Sequence, residues 1–427
     1  MYFVVKSYFM SRLSSMAESL IGSEIVKLGN EINTRIAKGE KIYNYTIGDF
    51  NPDIFPIPKL LEEKIIEGYQ QHQTNYPPGD GVKELREAVR AFIKKYEGID
   101  YSLDEIQIAS GGRPIIYTAF RTIVDANDKV IYATPSWNNN HYTHLNWGVH
   151  CNVQASAENL FMPTAEDLAP HIPGAALLCL CSPQNPTGTT FTKETLEKIC
   201  DLVIEENHKR GPDEKKLYVL FDQMYWMLTY GNTRHYNPVS LRSEMKEYTI
   251  FVDGISKVFA ATGVRVGWAL GPAKVISKMK ALISHVGTWA PLAEQKATAL
   301  FLNEPAAIDT FLTPFKEQLH QRLQLVYEHI TRLKAKGYPV DAIEPQAALY
   351  LTIKLDLVGK TFNQTILKSQ EEVTNFILGE AQLAIVPFSC FGATSDSPWY
   401  RLSVGTCRIE NLNDVFAGLE RALSKLQ

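Results

Sequence analysis

Apolar residues along this chain follow two rhythms. After about Asp80, Val82, Leu85, Val89, Phe92, Ile93 and Tyr96 recur at helical spacing, and Gly98 stops the run after Lys94 and Lys95. Short continuous apolar runs follow at Val130–Ala133, Ala176–Leu180, Leu217–Phe221 and Thr249–Val252. Their shortness and lack of alternation predict strands buried on both faces. Between the second and third runs, Leu196, Ile199, Cys200, Val203 and Ile204 mark one face of a helix, with Thr192 as its N-cap. Such strands, separated by amphipathic helices, predict a three-layer α/β/α unit around a mainly parallel sheet.

The rhythm changes after about Asn303. Phe315, Leu319, Leu323, Val326, Ile330 and Leu333 predict one long helix ending near Gly337. Tyr350–Ile353 and Tyr400–Val404 then read as strands of a smaller α+β unit. A chain of 427 residues exceeds a single ordinary core. The expected division is an N-terminal arm with part of the small domain at 1–60, a large domain at 61–308 and a small domain at 309–427.

Composition narrows the function classes. The content of hydrophobic residues, 45%, suits a sizeable interior, and a formal net charge of −4 gives no footing for nucleic-acid binding. No apolar run approaches the roughly 20 residues that span a bilayer. The six cysteines have neither zinc-site nor disulfide-framework spacing, so reduced thiols in a cytoplasmic protein are expected. Cys179 and Cys181 should face one side of a buried strand. The stretch from Met1-Tyr2-Phe3-Val4-Val5-Lys6 to Glu18 is acid-free, but its apolar part is short and interrupted, unlike a targeting segment. Met10 and Met16 are alternative starts.

The residues with chemistry follow predicted strands, where open α/β sheets place their ligands. Lys257 comes after Thr249–Val252, and Arg265 stands eight residues later in Thr262-Gly263-Val264-Arg265. Together they offer an amine for a Schiff base and a guanidinium for a phosphate. Ser110-Gly111-Gly112-Arg113-Pro114 precedes a helix-like stretch, and glycines there let a phosphate approach free N–H groups. Ser182-Pro183-Gln184-Asn185-Pro186-Thr187-Gly188 follows one strand and Asp222-Gln223-Met224-Tyr225 closes another. Arg401 sits in an apolar β-like segment, where a cation is costly to bury without an anion.

In this order the set resembles the active site of the class I/II aminotransferases, fold-type I pyridoxal-phosphate (PLP) enzymes, from about Tyr45 to Arg408. The resemblance implies that Lys257 holds PLP and carries a proton between the substrate Cα and the cofactor C4′. It pairs Asp222 with the pyridine nitrogen, keeping the ring a good electron sink. Tyr225 and Asn185 serve the cofactor O3′, and Trp137 stacks on the ring; Asn185 and Trp137 also touch substrate. Gly111, Gly112 and Arg265 bind the phosphate. Arg401 clamps the substrate α-carboxylate beside the Gly48 backbone. Tyr76 reaches the neighbouring subunit's phosphate, which implies a homodimer.

Departures from the family pattern carry their own expectations. Relatives usually read Asp-Glu-x-Tyr where this chain has Gln223. Many place a phosphate-binding Ser three residues before the lysine, where Gly254 stands here, which leaves Ser256 as the hydroxyl of the cofactor-binding set. Arg113 replaces a Lys found in relatives that recognise acidic substrates; a distal carboxylate, the phosphate and a surface ion pair are all open to it. Thr288-Trp289-Ala290-Pro291, near the pocket, is bulkier than is common and points to unusual side-chain selection. The implied function is ping-pong amino transfer between an L-amino acid, with aspartate or glutamate as plausible donors, and a 2-oxo acid. A β-elimination lyase or an aminocyclopropane-carboxylate-synthase-like enzyme would use the same residues. An effector-sensing regulator module is disfavoured, because fewer than 50 residues precede Gly48 and they lack a basic helix-turn-helix pattern.

Overall fold

The four apolar runs are strands of one seven-stranded sheet. The computed structural model describes residues 13–20, 22 and 24–427; Met1–Lys6 and Met10 lie outside them, and Met16 falls in the short helix Ser15–Glu18. The strands are β1 (Ile106–Ala109), β2 (Lys129–Thr134), β3 (Val149–Gln154), β4 (Ala175–Cys181), β5 (Tyr218–Asp222), β6 (Thr249–Gly254) and β7 (Gly267–Leu270), in the spatial order β1-β7-β6-β5-β4-β2-β3. Neighbours are parallel except β7, which runs antiparallel to both β1 and β6. Three strands escape the apolar pattern for different reasons. The β1 strand is only four residues long and carries the polar Gln107; β7 is equally short and opens on Gly267. The edge strand β3 exposes His150, Asn152 and Gln154.

Register aligns the strand ends. Cys181 pairs with Asp222, Asp222 with Val252, and Gly254 with Gly267, so the residues that follow β4, β5 and β6 emerge side by side. Local signals set the flanking helices. Lys83–Glu97 ends on Gly98 in the left-handed region (φ 73°), whose N–H donates to Lys94 O. Lys193–Lys209 starts on Thr192, whose hydroxyl accepts from Thr195 N at 3.1 Å.

The long helix covers Pro305–Ala335, beginning ten residues before the expected Phe315 and including Pro314. Beyond it β8 (Val340–Ala342), β9 (Tyr350–Leu355), β10 (Val386–Pro387) and β11 (Trp399–Ser403) form an antiparallel sheet ordered β10-β11-β9-β8. The N-terminal part of the chain joins this smaller unit. Tyr43–Asn44 pairs in parallel with Leu383–Ala384, and Ser403 N donates to Tyr45 O at 2.9 Å. That pairing brings Thr46 and Gly48 against Arg401.

Candidate active site

A cavity of about 280 Å³ opens beyond the ends of β4, β5 and β6, between the large sheet and the smaller one. Its lining includes Gly48, Gly112, Arg113, Trp137, Asn185, Asp222, Tyr225, Ser256, Lys257, Arg265 and Arg401. Cys179 and Cys181 both line it, as one-sided strand placement predicts. The Ser182-Pro183 and Asn185-Pro186 bonds of the turn carrying Asn185 are cis.

Lys257 lies on the short helix Ile255–Val258 that follows β6. Its Nζ donates to Gly48 O at 2.6 Å and stands 5.9 Å from the centre of the Phe50 ring. Burial brings the amine down to about 8; Asp49 opposes the shift, and the cations Arg401, Arg265 and Arg113 add to it. Asp222 ends β5, and its Oδ1 accepts from Met224 N at 3.0 Å. Desolvation pushes this carboxyl up to about 6. The hydroxyls of Tyr225 and Tyr350 share a hydrogen bond of 2.8 Å.

One end of the cavity gathers a guanidinium, a helix start and a buried hydroxyl. Arg265, in the left-handed region (φ 63°), donates from Nη1 to Thr262 O and from Nη2 to Ser110 O, each at 2.7 Å. Gly111 (φ 90°) passes so close beneath this guanidinium that a Cβ there would collide with it. Helix Gly112–Ile123 begins at this point and presents the free N–H groups of its first turn. The Ser256 hydroxyl is buried and has no hydrogen-bond partner among the described residues. At Gly254 a Cβ would lie 2.7 Å from Gly267 Cα and 2.8 Å from Val266 O. A serine at 254 would therefore force β6 and β7 apart, a structural reason for this departure from the family pattern.

The opposite wall holds Arg401, whose side chain is 2% exposed. It donates from Nη1 to Asn185 Oδ1 at 3.0 Å and from Nη2 to Thr46 O at 2.6 Å. The guanidinium lies between the Tyr350 and Phe391 rings, 4.6 and 4.9 Å from their centres. Its Nε has no partner among the described residues. Arg113 is exposed, stacked 4.9 Å over the Trp137 ring. No carboxylate forms an ion pair with Arg113, Arg265, Arg401 or Lys257 among the described residues; what they touch is carbonyl oxygen, amide and aromatic ring. The surface ion pair open to Arg113 is thus not formed.

Two expectations fall outside this cavity. Tyr76 is 81% exposed and packs edge-on to Trp289 at 5.3 Å. Thr288–Pro291 lies near the cavity without being among the residues that line it. Thr288 O instead accepts from Ser110 N at 3.0 Å, behind the glycine loop. Conversely Tyr350, Ile25 and Met224 line the site without having been singled out. Tyr350 has no local motif; pairing of β9 with β11, which sets Thr352 opposite Arg401, is what brings it there.

Comparison with known proteins agrees with this geometry. Residues 41–419 match the family described as aminotransferase class I and II. An aspartate aminotransferase of Bacillus sp. (strain YM-2) is 28% identical over 411 residues, 96% of this chain and 97% of that protein. A probable aspartate/prephenate aminotransferase of Aquifex aeolicus is 26% identical over 91% of this chain and 93% of its own length. Among solved structures, the aspartate aminotransferase from Rhizobium meliloti superposes with a TM-score of 0.89 at 26% identity, covering 98% of this chain and 100% of that one. The aromatic aminotransferase from Pyrococcus horikoshii gives 0.80 at 26%, over 92% and 98%. An α/β/α unit on a mainly parallel sheet, a smaller α+β unit and a lysine at the cavity between them therefore have one explanation: the chain belongs to the class I and II aminotransferases and is a PLP-dependent aminotransferase of fold type I.

Proposed function

We propose that this enzyme takes the amino group of an acidic L-amino acid, aspartate or glutamate, and passes it to a 2-oxo acid in two half-reactions. The observation that carries the reading is Lys257, an amine held near pKa 8 in a cavity with unpaired guanidinium groups around it and the Asp222 carboxyl in its wall. The residues fit the cofactor. Arg265, the Gly112 helix start and the unsatisfied Ser256 hydroxyl suit a phosphate, and Asp222 suits a protonated ring nitrogen. What PLP supplies when bound is an aldehyde that takes up the amino group and a ring that withdraws electrons from the neighbouring carbon.

The protein's own groups then have separate tasks. Lys257 would hold the cofactor through its amine and, when free of it, would carry a proton to and from the substrate Cα. Asp222 keeps the ring nitrogen protonated. Tyr225 and Asn185 donate to the cofactor O3′, and Trp137 covers the ring. Arg401 grips the α-carboxylate with two parallel N–H bonds, helped by the Gly48 backbone. Arg113, exposed in the cavity and free of any ion pair among the described residues, suits a distal carboxylate and so an acidic donor. Similarity to proteins named aspartate aminotransferase supports the same donor.

Assembly and placement belong to the same proposal. Tyr76, Tyr69, Ile66, Val286 and Leu300 are each at least half exposed, an apolar surface that suits a second copy, with Tyr76 reaching into its neighbour's site. The two sheets, within residues 106–270 and 340–403, support the division at about 60 and 308. Six free cysteines support the cytoplasm; among the described residues no helix is long and apolar enough to cross a membrane. The test is a screen of amino donors against 2-oxoglutarate, and separately of 2-oxo acids against glutamate. Aspartate should give the highest kcat/KM with 2-oxoglutarate, and the four-carbon dicarboxylic 2-oxo acid the highest with glutamate; a preference for aromatic or aliphatic partners would remove the role given to Arg113.

A further inference from the structure

The face of the large sheet turned away from the cavity holds a buried polar cluster that the chemistry above does not use. Asp222 and Gln223 are consecutive, and neither Gln223 nor Asp253 lines the cavity. Both are fully buried, and the Glu97 side chain, at the end of helix Lys83–Glu97, is 2% exposed. Gln223 Nε2 donates to Glu97 Oε1 at 2.5 Å, and Asn237 Nδ2 donates to Glu97 Oε2 at 2.9 Å. Asp253 accepts from Gly254 N on Oδ1 at 2.7 Å and from Trp226 Nε1 on Oδ2 at 3.0 Å. Gln223 is thus tied to Glu97, and Asp253 is tied to Trp226 on the segment that follows Gln223.

We propose that Glu97, Gln223 and Asp253 are positioning residues that fix Asp222 and Lys257 from the reverse side of the sheet. The inference rests on the roles given above to Asp222 and Lys257. Gln223 is joined by one peptide bond to Asp222, and Asp253 lies four residues before Lys257 at the turn into its helix. The strand ends are also stitched directly, since Gln223 N donates to Val252 O at 3.1 Å. Tying one side chain from each strand end into a common cluster holds the two reacting groups at a set separation.

The chemistry of the cluster fits a rigid brace. Burial raises Glu97 to about 8 and raises Asp253 as well, with the nearness of Glu97 adding to the latter. Burial disfavours the charged form of both neighbouring carboxyls. A protonated carboxyl needs an acceptor. Gln223 Oε1 and both His235 nitrogens have no hydrogen-bond partner among the described residues, and His235 Nε2 lies 3.8 Å from Glu97 Oε2. An amide at 223 donates to Glu97 and keeps an oxygen able to accept, whereas a carboxyl there would add a third acid.

The experiment compares PLP-loaded Gln223→Met, Glu97→Met and Glu97→Gln with wild type, with Lys257→Ala as a separate control. Methionine keeps the volume of either side chain and removes its hydrogen bonds. Gln223→Met and Glu97→Met should lose roughly 10- to 100-fold in kcat with KM for both substrates unchanged, the effect of a sub-ångström misplacement of reacting groups. The visible circular dichroism of the bound cofactor, which reports ring orientation, should change with them. Glu97→Gln, which still accepts from Gln223, should recover most of both signals. Wild-type kcat and dichroism in folded Gln223→Met would overturn the proposal, even if its melting temperature fell, because the cluster would then be structural only. If Glu97→Met does not fold, Gln223→Met decides alone. Wild-type turnover in Lys257→Ala would instead overturn the reading beneath, and the brace with it, whatever the cluster variants do.

Discussion

The two walls of the cavity are assembled in opposite ways. On the large-sheet side, Asp222 ends β5, Lys257 follows β6 and Arg265 precedes β7, so hydrogen-bonded neighbours in one sheet deliver them together. On the other side, Gly48, Tyr350 and Arg401 come from three distant stretches that meet only through pairing in the smaller unit. The first wall gains rigidity from the sheet itself. The second meets the first through side-chain contacts, Lys257 to Gly48 O, Tyr225 to Tyr350 and Arg401 to Asn185. Its cation, Arg401, is held by an amide and a carbonyl rather than a carboxylate, which leaves its charge available. Chemistry on one wall and recognition on the other is the division this contrast implies.

Substitutions on the two walls should therefore fail differently. The largest loss is expected for Lys257→Ala, about 10⁴-fold in kcat, the upper end of what a positioned proton carrier contributes. Steady-state assays and PLP retention on gel filtration would check it; near-wild-type turnover would break the comparison at its root. Next comes Asp222→Ala, with a loss of about 10²- to 10³-fold in kcat from one missing electrostatic partner. Asp222→Glu should keep more activity than Asp222→Ala, and equal activity of both with wild type would place that carboxylate outside the reaction.

Arg401→Lys probes the second wall. It should raise KM for both amino donor and 2-oxo acid, at a cost near 3 kcal/mol in kcat/KM, while PLP stays bound. A fall in kcat with PLP release would merge the two walls into one function. The smaller effect belongs to Arg113→Ala, about 1.5 kcal/mol and confined to aspartate and glutamate, since this guanidinium is exposed. A uniform loss across donors with weaker PLP binding would move Arg113 to the phosphate.

The buried amine has a consequence for stability as well. Folding brings the Lys257 pKa from 10.5 to about 8. Between those values the unfolded chain binds more protons, so stability rises with pH there, and the charged amine opposes folding fully below pH 8. In protein freed of PLP, Lys257→Met should raise the melting temperature at pH 7, with the gain shrinking toward pH 10. A gain that is independent of pH would mean that the amine is not desolvated.

How far the sequence revealed the site follows the same contrast. Asp222 and Lys257 were legible because each adjoins an apolar strand, and Arg265 because it stands eight residues after Lys257, so a motif and its context sit in one short stretch. Tyr350 was not, because a tyrosine opening a strand looks the same whether it faces a core or a cavity. Arg401 stood out locally as a cation amid apolar residues, yet only β11 pairing sets it against Asn185. Short strands with a polar or glycine residue, β1 and β7, escaped the periodicity, although β7 is what holds Arg265 in place. Thr288–Pro291 was expected near the pocket, and its backbone does support the glycine loop, while Trp289 packs on Tyr76.

The central claim is amino transfer by the large-sheet wall, and a single half-reaction tests it most directly. The PLP-loaded enzyme is mixed with L-aspartate and no 2-oxo acid, while cofactor absorbance, released 2-oxo acid and free ammonia are followed. The account predicts one equivalent of 2-oxo acid per active site, a matching loss of the visible band, no ammonia, and recovery of the band on adding 2-oxoglutarate. An unchanged band and no 2-oxo acid from L-aspartate would contradict it, and continuous 2-oxo acid and ammonia from a donor that carries a β leaving group, such as O-acetyl-L-serine, would make the enzyme a lyase.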